Sequence, residues 1–576
     1  MLICGLKMTH DGGIAVIDGN RLIFSIEMEK LENLPRYSPI DNLARVERIL
    51  SGEGVDLAAI DRFVVDGWLV DPITGRTEVP ARDGARELRL PVASYAEEML
   101  GRRTENRGDP TRSIDFTEHN FSSHSIGYSS YHHSTGHVLA SYCASPFAAR
   151  GEDSLVLTWD GGTTSRLYHA TANPPGLRQV ATILPFSGHL FSAICCNFDP
   201  FRIEGAASAL EDVNANTQAE LQMQILSVAG KAMAYAALGT VEESAFPVLR
   251  ELLSQLTQSN DAIELAGQAM MLGGKVAADQ DALFPGMSSA DIIATLQAYI
   301  GNLILEQVTA VVQKYYSGSY PNLALAGGCA LNIKWNTKLR ASGLFSEVWA
   351  PPFPNDSGAA IGAACCEMFS KARNSRLNWN VYSGPRLTVG SIPEGWCSEA
   401  CDERQLAELL VVTGEPVVFL SGRAEIGPRA LGGRSILAPA TDVRMKDRLN
   451  AAKGRAGYRP VAPICLSSHA PEVFSPGTPD PYMLFEHHIR PEWEQRIPAV
   501  AHLDGTARLQ TVDPSDGTPI SKLLSEYERL SGIPVLCNTS ANLNGRGFFP
   551  DAATATEWGR INYVWSEGTL FRRSDI

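Results

Sequence analysis

Two stretches of this chain repeat one short pattern, and that pattern limits the fold more than any other feature. Residues 2–7 (LICGLK) are an apolar run ending in the turn Met8-Thr9-His10-Asp11-Gly12-Gly13; IAVI (14–17), the turn Asp18-Gly19-Asn20 and RLIFSIEM (21–28) follow. Residues 154–159 (SLVLTW) lead into Asp160-Gly161-Gly162-Thr163-Thr164 and then SRLYHA (165–170). Apolar runs of this length bounded by Asp/Gly turns read as strands joined by tight connections. Two copies about 150 residues apart predict an internal duplication. Turns of this type also present backbone N–H groups to phosphate.

The rest of the chain alternates between helical and strand patterns. Residues 205–315 are rich in Ala, Leu, Gln and Glu and predict helix. NLALAGG (322–328) reads as a buried strand running into a glycine pair, and 329–342 as a helix. VWAPPFPNDSGAAIGAACCEMF (348–369) reads as a strand, a Pro-rich turn and a small-residue helix. Such alternation predicts an α/β domain. A chain of 576 residues exceeds one core, and a polar, Gly/Pro-containing stretch supplies the break. The expected organisation is a domain over 1–375, a linker over 376–395 and a second α/β domain over 396–576. In the second domain HLDGTARLQTV (502–512) reads as a strand pair, and GIPVLCNTSANLNG (532–545) as a buried strand meeting a polar turn.

The formal net charge of −15 argues against non-specific nucleic-acid binding, which needs a basic surface. No run of about 18 apolar residues is present, so no membrane span is expected. MLICGLKMTHDGG lacks the charged and cleavable features of a secretory leader, which with the scattered cysteines predicts a reduced, cytoplasmic protein. Cys397 and Cys401 have a spacing that could join a metal site but lack a second pair. His487 and His488 read as surface residues at a strand end.

Against that global charge, residues 423–459 hold nine Lys/Arg and three Asp/Glu. The stretch includes GPRALGGRSIL (427–437), Lys453, Arg455 and Arg459. A local cationic cluster of this kind predicts a site for small, highly charged anions such as phosphates, since the arginine fork pairs two oxygens at once. Gly432 and Gly433 are expected to let backbone approach the ligand.

Five of the twelve histidines fall between 119 and 137: His119, His124, His132, His133 and His137. His133 and His137 are four apart, so on a helix they share one face. Two imidazoles need further ligands, and Asp160 and Asp356, each in a turn at a strand end, are the candidates. Two histidines with two carboxylates would suit Fe, Mn or Zn.

The segments HHSTGHVLASY, TWDGG, LAGGCALN, PNDSGAAIGAA, GRAEIGPRALGGRSIL, YRPVAPICL, HLDGTARLQTV and NTSAN occur here in one order. Together they resemble the NodU/CmcH carbamoyltransferases, a group that includes antibiotic-tailoring O-carbamoyltransferases. The resemblance implies a duplicated actin-like (ribonuclease-H-like) N-terminal domain and a YrdC-like α/β C-terminal domain. It implies that the second domain forms carbamoyl-adenylate from carbamoyl phosphate and ATP, with Mg²⁺. The first domain would then pass the carbamoyl group to a hydroxyl of a small secondary metabolite.

Carried over by motif, Fe²⁺ or another divalent metal would be held by His133, His137, Asp160 and Asp356. Carbamoyl phosphate and nucleotide would meet Arg429, Lys453, Arg459, Arg508 and Ser540, with Asn538 and Asn542 nearby. Gly327, Gly328 and Asn332 would touch the adenylate, and His10 would lie near the acceptor hydroxyl, where it is the candidate base unless it only caps its turn. Ser187, Gly188 and His189 would approach the transfer site, and Lys231 could contact phosphate. The sequence departs from the family pattern at Ala541, at Gly545-Arg546-Gly547-Phe548, after Arg455, and at Glu27-Met28-Glu29-Lys30. A homodimer is the expected assembly. An actin-fold sugar or metabolite kinase also accounts for the glycine turns and LAGGCALN, but leaves the 423–459 cluster and the histidine pair unused.

Overall fold

The structure, a computed structural model, describes residues 1–69, 75–96, 108–116, 127–203, 215–259 and 262–575, with the side chains of 215–220 and 222 excepted. His119 and His124 lie outside the described residues. The chain divides into two compact units. The first comprises residues 1–6, 17–21 and 41–378; the second comprises 7–16, 22–40 and 379–576.

Both glycine-turn repeats begin with the predicted strand. Leu2–Lys7 runs parallel to Arg62–Asp66, which runs parallel to Tyr128–Tyr131. Ser154–Thr158 runs parallel to Leu323–Ala326, which runs parallel to the short strand Val348–Trp349. After the first strand of each repeat the chain makes two more strands in succession, Gly13–Asp18 and Arg21–Glu27 in one case, Thr164–Ala172 and Pro175–Ser187 in the other. The same order of elements therefore occurs twice. Ser154–Thr158 is buried at every position, as expected of a parallel strand covered on both faces.

Two helices pack between these sheets' strands and position the histidines. His133–Ala144 and Ala359–Ser370 are buried over almost their whole circumference. They approach closely because small residues meet: a Cβ on Gly362 would run into the carbonyl of Gly136. Ser141 fixes the first helix to the sheet by donating to the Leu325 carbonyl at 2.9 Å. The described part of 205–315 is helical as predicted, over Ala215–Tyr235, Phe246–Ser254, Ala262–Ala278 and Ser289–Tyr315. Among the described residues no helix is long and apolar enough to cross a membrane.

The second unit is built on a mixed sheet of eight strands. At its centre Arg434–Pro439 pairs antiparallel with Val535–Ser540, which pairs antiparallel with Ala462–Leu466. That register brings the starts of two strands and the end of the third to one edge: Ser435 faces Ser540, and Ala462 faces Asn538. Helices Glu403–Thr413 and Pro519–Ser531 cover the sheet; Asp402 and Gln405 form a capping box at the first and Thr518 caps the second. Residues 376–395 contain no helix or strand beyond isolated bridges.

The expected strand pair at 502–512 is corrected. Thr506–Ala507 pairs with the His487–Ile489 strand, whereas Gln510–Val512 joins the large sheet beside Ala462–Leu466. The surface placement of His487 is also corrected: it is fully buried, with Nδ1 accepting from the Gly477 amide at 3.3 Å and Nε2 3.6 Å from Asp480. Strand alternation explains this, because residues 487 and 489 point inward and only His488 points out.

Candidate functional site

In the first unit, the helix starting at His133 stacks His133 and His137 one turn apart with their Nε2 atoms 3.0 Å from each other. Asp160 follows strand Ser154–Thr158, and Asp356 opens the 3₁₀ turn that leads into helix Ala359–Ser370. Asp356 Oδ1 lies 3.4 Å from His133 Nε2 and 3.3 Å from His137 Nε2. Asp160 Oδ1 is 3.8 Å from His137 Nε2, and its Oδ2 is 4.0 Å from His133 Nε2. All four residues are buried, and the four ligand atoms lie within 4.8 Å of one another. Two carboxylates facing two imidazoles in a buried site carry an excess of negative charge that a divalent cation offsets, so the donor set fits a metal.

Neighbours hold these donors in place. Asp66, the last residue of strand Arg62–Asp66, bonds His133 Nδ1 through Oδ2 at 2.6 Å. The Gly328 amide donates to Asp160 Oδ1 at 2.8 Å, and the Tyr95 hydroxyl donates to Asp160 Oδ2. Burial and the Asp160 and Asp356 carboxylates hold the Tyr95 hydroxyl well above its ordinary range, so it is a neutral donor. The Tyr95 ring lies 4.5 Å from that of His133, and Trp68 stands edge-on at 6.3 Å.

The residues expected near an adenylate sit beside this centre. Gly328 spends its amide on Asp160, Gly327 adopts φ +82 against the Trp159 carbonyl, and Asn332 caps helix Ile333–Arg340 by accepting from Lys334 and Trp335 amides. Gly188 donates to the Asp160 carbonyl at 3.0 Å, and His189 lies over Gly161, where a Cβ would meet its ring. Lys231 is an exposed helix residue whose Nζ donates to Ser227 Oγ at 3.3 Å.

In the second unit, the basic cluster separates into two populations. Arg434 is a buried structural residue, donating to the carbonyls of Ser421, Gly433 and Gly422 at 2.9–3.0 Å. Arg444 pairs with Asp442 and Arg448 with Glu415 at the surface. Arg429, Lys453, Arg455 and Arg459 instead gather with Arg508, and each is pushed down in pKa first by burial. Mutual repulsion adds to this: Arg429 is lowered by Arg508 and Arg459, and Arg455, at about 9, by the same two residues. Arg508 falls to about 10, with Asp480 offsetting part of the shift. Among the described residues none of the five is ion-paired with a carboxylate. The Nε atoms of Arg429, Arg455 and Arg508 are buried without a hydrogen-bond partner. An anion is what such a field lacks.

Neutral polar groups complete this edge of the sheet. Lys453 Nζ bonds the Ser540 carbonyl and Asn542 Oδ1, the latter at 2.5 Å. Asn538 donates to Gln510 at 2.7 Å and to the Ala430 carbonyl at 3.0 Å. The loop bearing Arg429 is held from behind: Glu425 Oε1 accepts from the amides of Leu431, Gly433 and Arg434. The expected role of Gly432 and Gly433 is thereby corrected. A Cβ on Gly432 (φ +102) would strike Ile520, and one on Gly433 would strike Glu425, so both serve internal packing. Buried Lys30 adds to the support, at 2.7 Å from Glu27 and donating to the carbonyls of Glu425 and Gly427.

His10 falls in this second unit by compactness, with Nδ1 2.8 Å from Asp11 Oδ2. Tyr95 and Glu425 escape sequence reasoning, because a single aromatic or charged residue carries no spacing signal. Asp66 had a signal, an acid at the carboxyl end of an apolar strand.

Comparison with known proteins gives matches over nearly the whole chain. The family model for the carbamoyltransferase N-terminus matches residues 2–365, and that for the carbamoyltransferase C-terminus matches residues 407–572. Nodulation protein U of Rhizobium tropici is 44% identical over 589 residues, covering 100% of this chain and 97% of that protein. The 3′-hydroxymethylcephem-O-carbamoyltransferase of Streptomyces clavuligerus is 29% identical over 581 residues, covering 100% of this chain and 99% of its own length. Among solved structures, full-length HypF in the phosphate- and nucleotide-bound form is 13% identical with a TM-score of 0.31, covering 65% of this chain and 56% of that one.

Proposed function

The chain belongs to the carbamoyltransferase family and is a carbamoyltransferase, and we propose that it works in two ATP-dependent steps on a hydroxylated small metabolite. The observation that carries this reading is the cluster of Arg429, Lys453, Arg455, Arg459 and Arg508, none of them ion-paired with a carboxylate among the described residues. Carbamoyl phosphate and ATP bring several negative charges together, which costs several kcal/mol unless fixed cations offset them.

In the first step, carbamoyl phosphate reacts with water to give carbamate and phosphate. A carbamate oxygen then attacks the α-phosphorus of ATP, forming the carbamoyl–AMP anhydride as pyrophosphate leaves. Arg429, Lys453, Arg459 and Arg508 bind and orient the phosphate groups, and Ser540, Asn538 and Asn542 supply neutral contacts. Holding carbamate beside ATP raises its effective concentration and shields it from water. This reading gives the C-terminal unit a YrdC-like role and the first unit an actin-like one.

In the second step, an acceptor hydroxyl attacks the carbamoyl carbon, AMP leaves, and the hydroxyl proton must be removed. His133, His137, Asp160 and Asp356 would hold a divalent metal, Fe²⁺ being the family's choice, which supplies Lewis-acid polarisation when bound. Asp66 orients His133, and Tyr95 holds Asp160. His10, with Asp11 Oδ2 2.8 Å from its Nδ1, is the base of this reading.

The two steps separate by mutation. His10→Ala and Asp160→Asn should keep carbamoyl-phosphate-dependent pyrophosphate release while losing carbamoyl transfer; Arg429→Gln should lose both. Full transfer by Arg429→Gln overturns the assignment of the first step.

A further inference from the structure

The segment Asn33–Tyr37 is one of the strained stretches of the second unit. Asn33 has φ +50 and Tyr37 has φ +66, left-handed backbone in two non-glycine residues that bracket Leu34-Pro35-Arg36. Such backbone persists only where the surroundings over-determine it, and it gathers at functional sites.

Here the surroundings do so. The Arg36 amide donates to the Gly545 carbonyl at 2.9 Å, the Gly547 amide to Leu34 at 3.0 Å, and Arg546 Nη1 to the Asn33 carbonyl at 3.0 Å. Glu29 closes the other side, accepting from the Leu34 amide at its carbonyl and from the Tyr37 amide at Oε2. Gly547 admits no side chain, because its Cβ would run into the Glu29 carbonyl. These clamping residues, Gly545-Arg546-Gly547, are among those that depart from the family pattern.

The same loop belongs to the anion site. Asn542 Nδ2 donates to the Arg546 carbonyl at 2.8 Å while its Oδ1 takes Lys453 Nζ at 2.5 Å. One hydrogen-bonded lattice therefore runs from Arg36 through 545–547 and Asn542 to Lys453. The Arg36 side chain at its end is exposed and, among the described residues, ion-paired with no carboxylate. Its charge reaches Arg429, Lys453, Arg455 and Arg459, all of which it helps to lower in pKa.

We propose that Arg36 is a further anion-contacting residue of this site, held there by the 545–547 clamp, and that it takes the outer phosphate of a polyphosphate such as the pyrophosphate portion of ATP. The inner cations are buried or half-buried, whereas Arg36 alone is exposed, so it meets the part of the ligand that still reaches solvent. A single orthophosphate, seated on the inner cations, has little need of it. The inference rests on the anion-site reading of the second unit but adds a residue and a ligand portion to it.

The test is calorimetric titration of inorganic pyrophosphate and of inorganic phosphate into the full chain and its Arg36→Gln, Arg36→Lys and Arg429→Gln variants. Arg36→Gln should weaken pyrophosphate binding about tenfold or more, the worth of one charge-assisted contact, and phosphate binding about twofold or less. Arg36→Lys should recover part of the loss, and Arg429→Gln should weaken both ligands. Pyrophosphate binding unchanged in Arg36→Gln but lost in Arg429→Gln overturns the role of Arg36 and leaves the anion site standing. Binding unchanged in both variants overturns the anion site as well.

Discussion

His133 and Asp66 share a buried hydrogen bond, Nδ1 to Oδ2 at 2.6 Å, which leaves Nε2 of the same ring facing His137 and Asp356. A carboxylate behind a metal-binding imidazole fixes its tautomer and ring orientation, and losing it commonly costs about 10–100-fold in metal affinity. Asp66→Asn is expected to weaken binding of added divalent metal by that order, read by competition with a chromophoric chelator. Wild-type affinity in the variant would show that His133 needs no such partner.

Arg429 and Arg434 sit five residues apart in GPRALGGR and should respond oppositely to removal. Arg434 serves four carbonyls in the interior, so Arg434→Ala should lower unfolding free energy by about 2–4 kcal/mol. Arg429→Gln removes a charge repelled by Arg508 and Arg459, and its unfolding free energy should stay within about 1 kcal/mol of wild type or rise. Denaturant unfolding of both variants decides the matter; a destabilised Arg429→Gln would make that residue a structural one.

Lys30 is buried against Glu27, and truncating one member of such a pair strands the other. Lys30→Met is expected to cost about 3–5 kcal/mol of stability. It should also disturb the Arg429 loop, since Lys30 bonds the Glu425 and Gly427 carbonyls. The double variant Lys30→Met/Glu27→Leu should recover much of the loss in denaturant unfolding; no recovery would remove the pair from the account.

Glu29 is pushed up to about 7 by burial and by the Glu27 and Asp11 carboxylates. An unfolded chain releases that proton near pH 4.3, so across the interval the native protein binds more protons than the unfolded one. The stabilising contribution is full below about pH 4 and is lost as pH rises through about 7. The urea midpoint should therefore fall with pH more steeply in wild type than in Glu29→Gln between about pH 5 and pH 7. Equal slopes would place the Glu29 titration elsewhere.

The cluster proposed to hold a metal was legible because its residues come in patterns: His133 and His137 at helical spacing, Asp160 and Asp356 in turns at strand ends. Spacing shows which residues can converge, and burial inside two small-residue helices does the rest. The cationic cluster proposed as an anion site was legible only in part. A run of nine cations announced it, yet Arg434, Arg444 and Arg448 belong to the interior or the surface, and linear density cannot sort them. Arg508 and the proposed Arg36 come from segments distant in sequence, and only Arg508 carried a motif. The glycines at 432 and 433 were read as space for a ligand but are needed by Ile520 and Glu425, contacts that sequence does not reveal. His487 was misplaced because a three-residue strand gives too short an alternation to assign faces.

The central claim is that the cationic edge of the second unit activates a carbamoyl group as an AMP anhydride. Incubating the purified chain with ATP and carbamoyl phosphate, and resolving the nucleotide products by anion-exchange chromatography, tests it most directly. AMP and pyrophosphate that form only when carbamoyl phosphate is present are the predicted result. ADP as the nucleotide product, or AMP formed equally without carbamoyl phosphate, would contradict it.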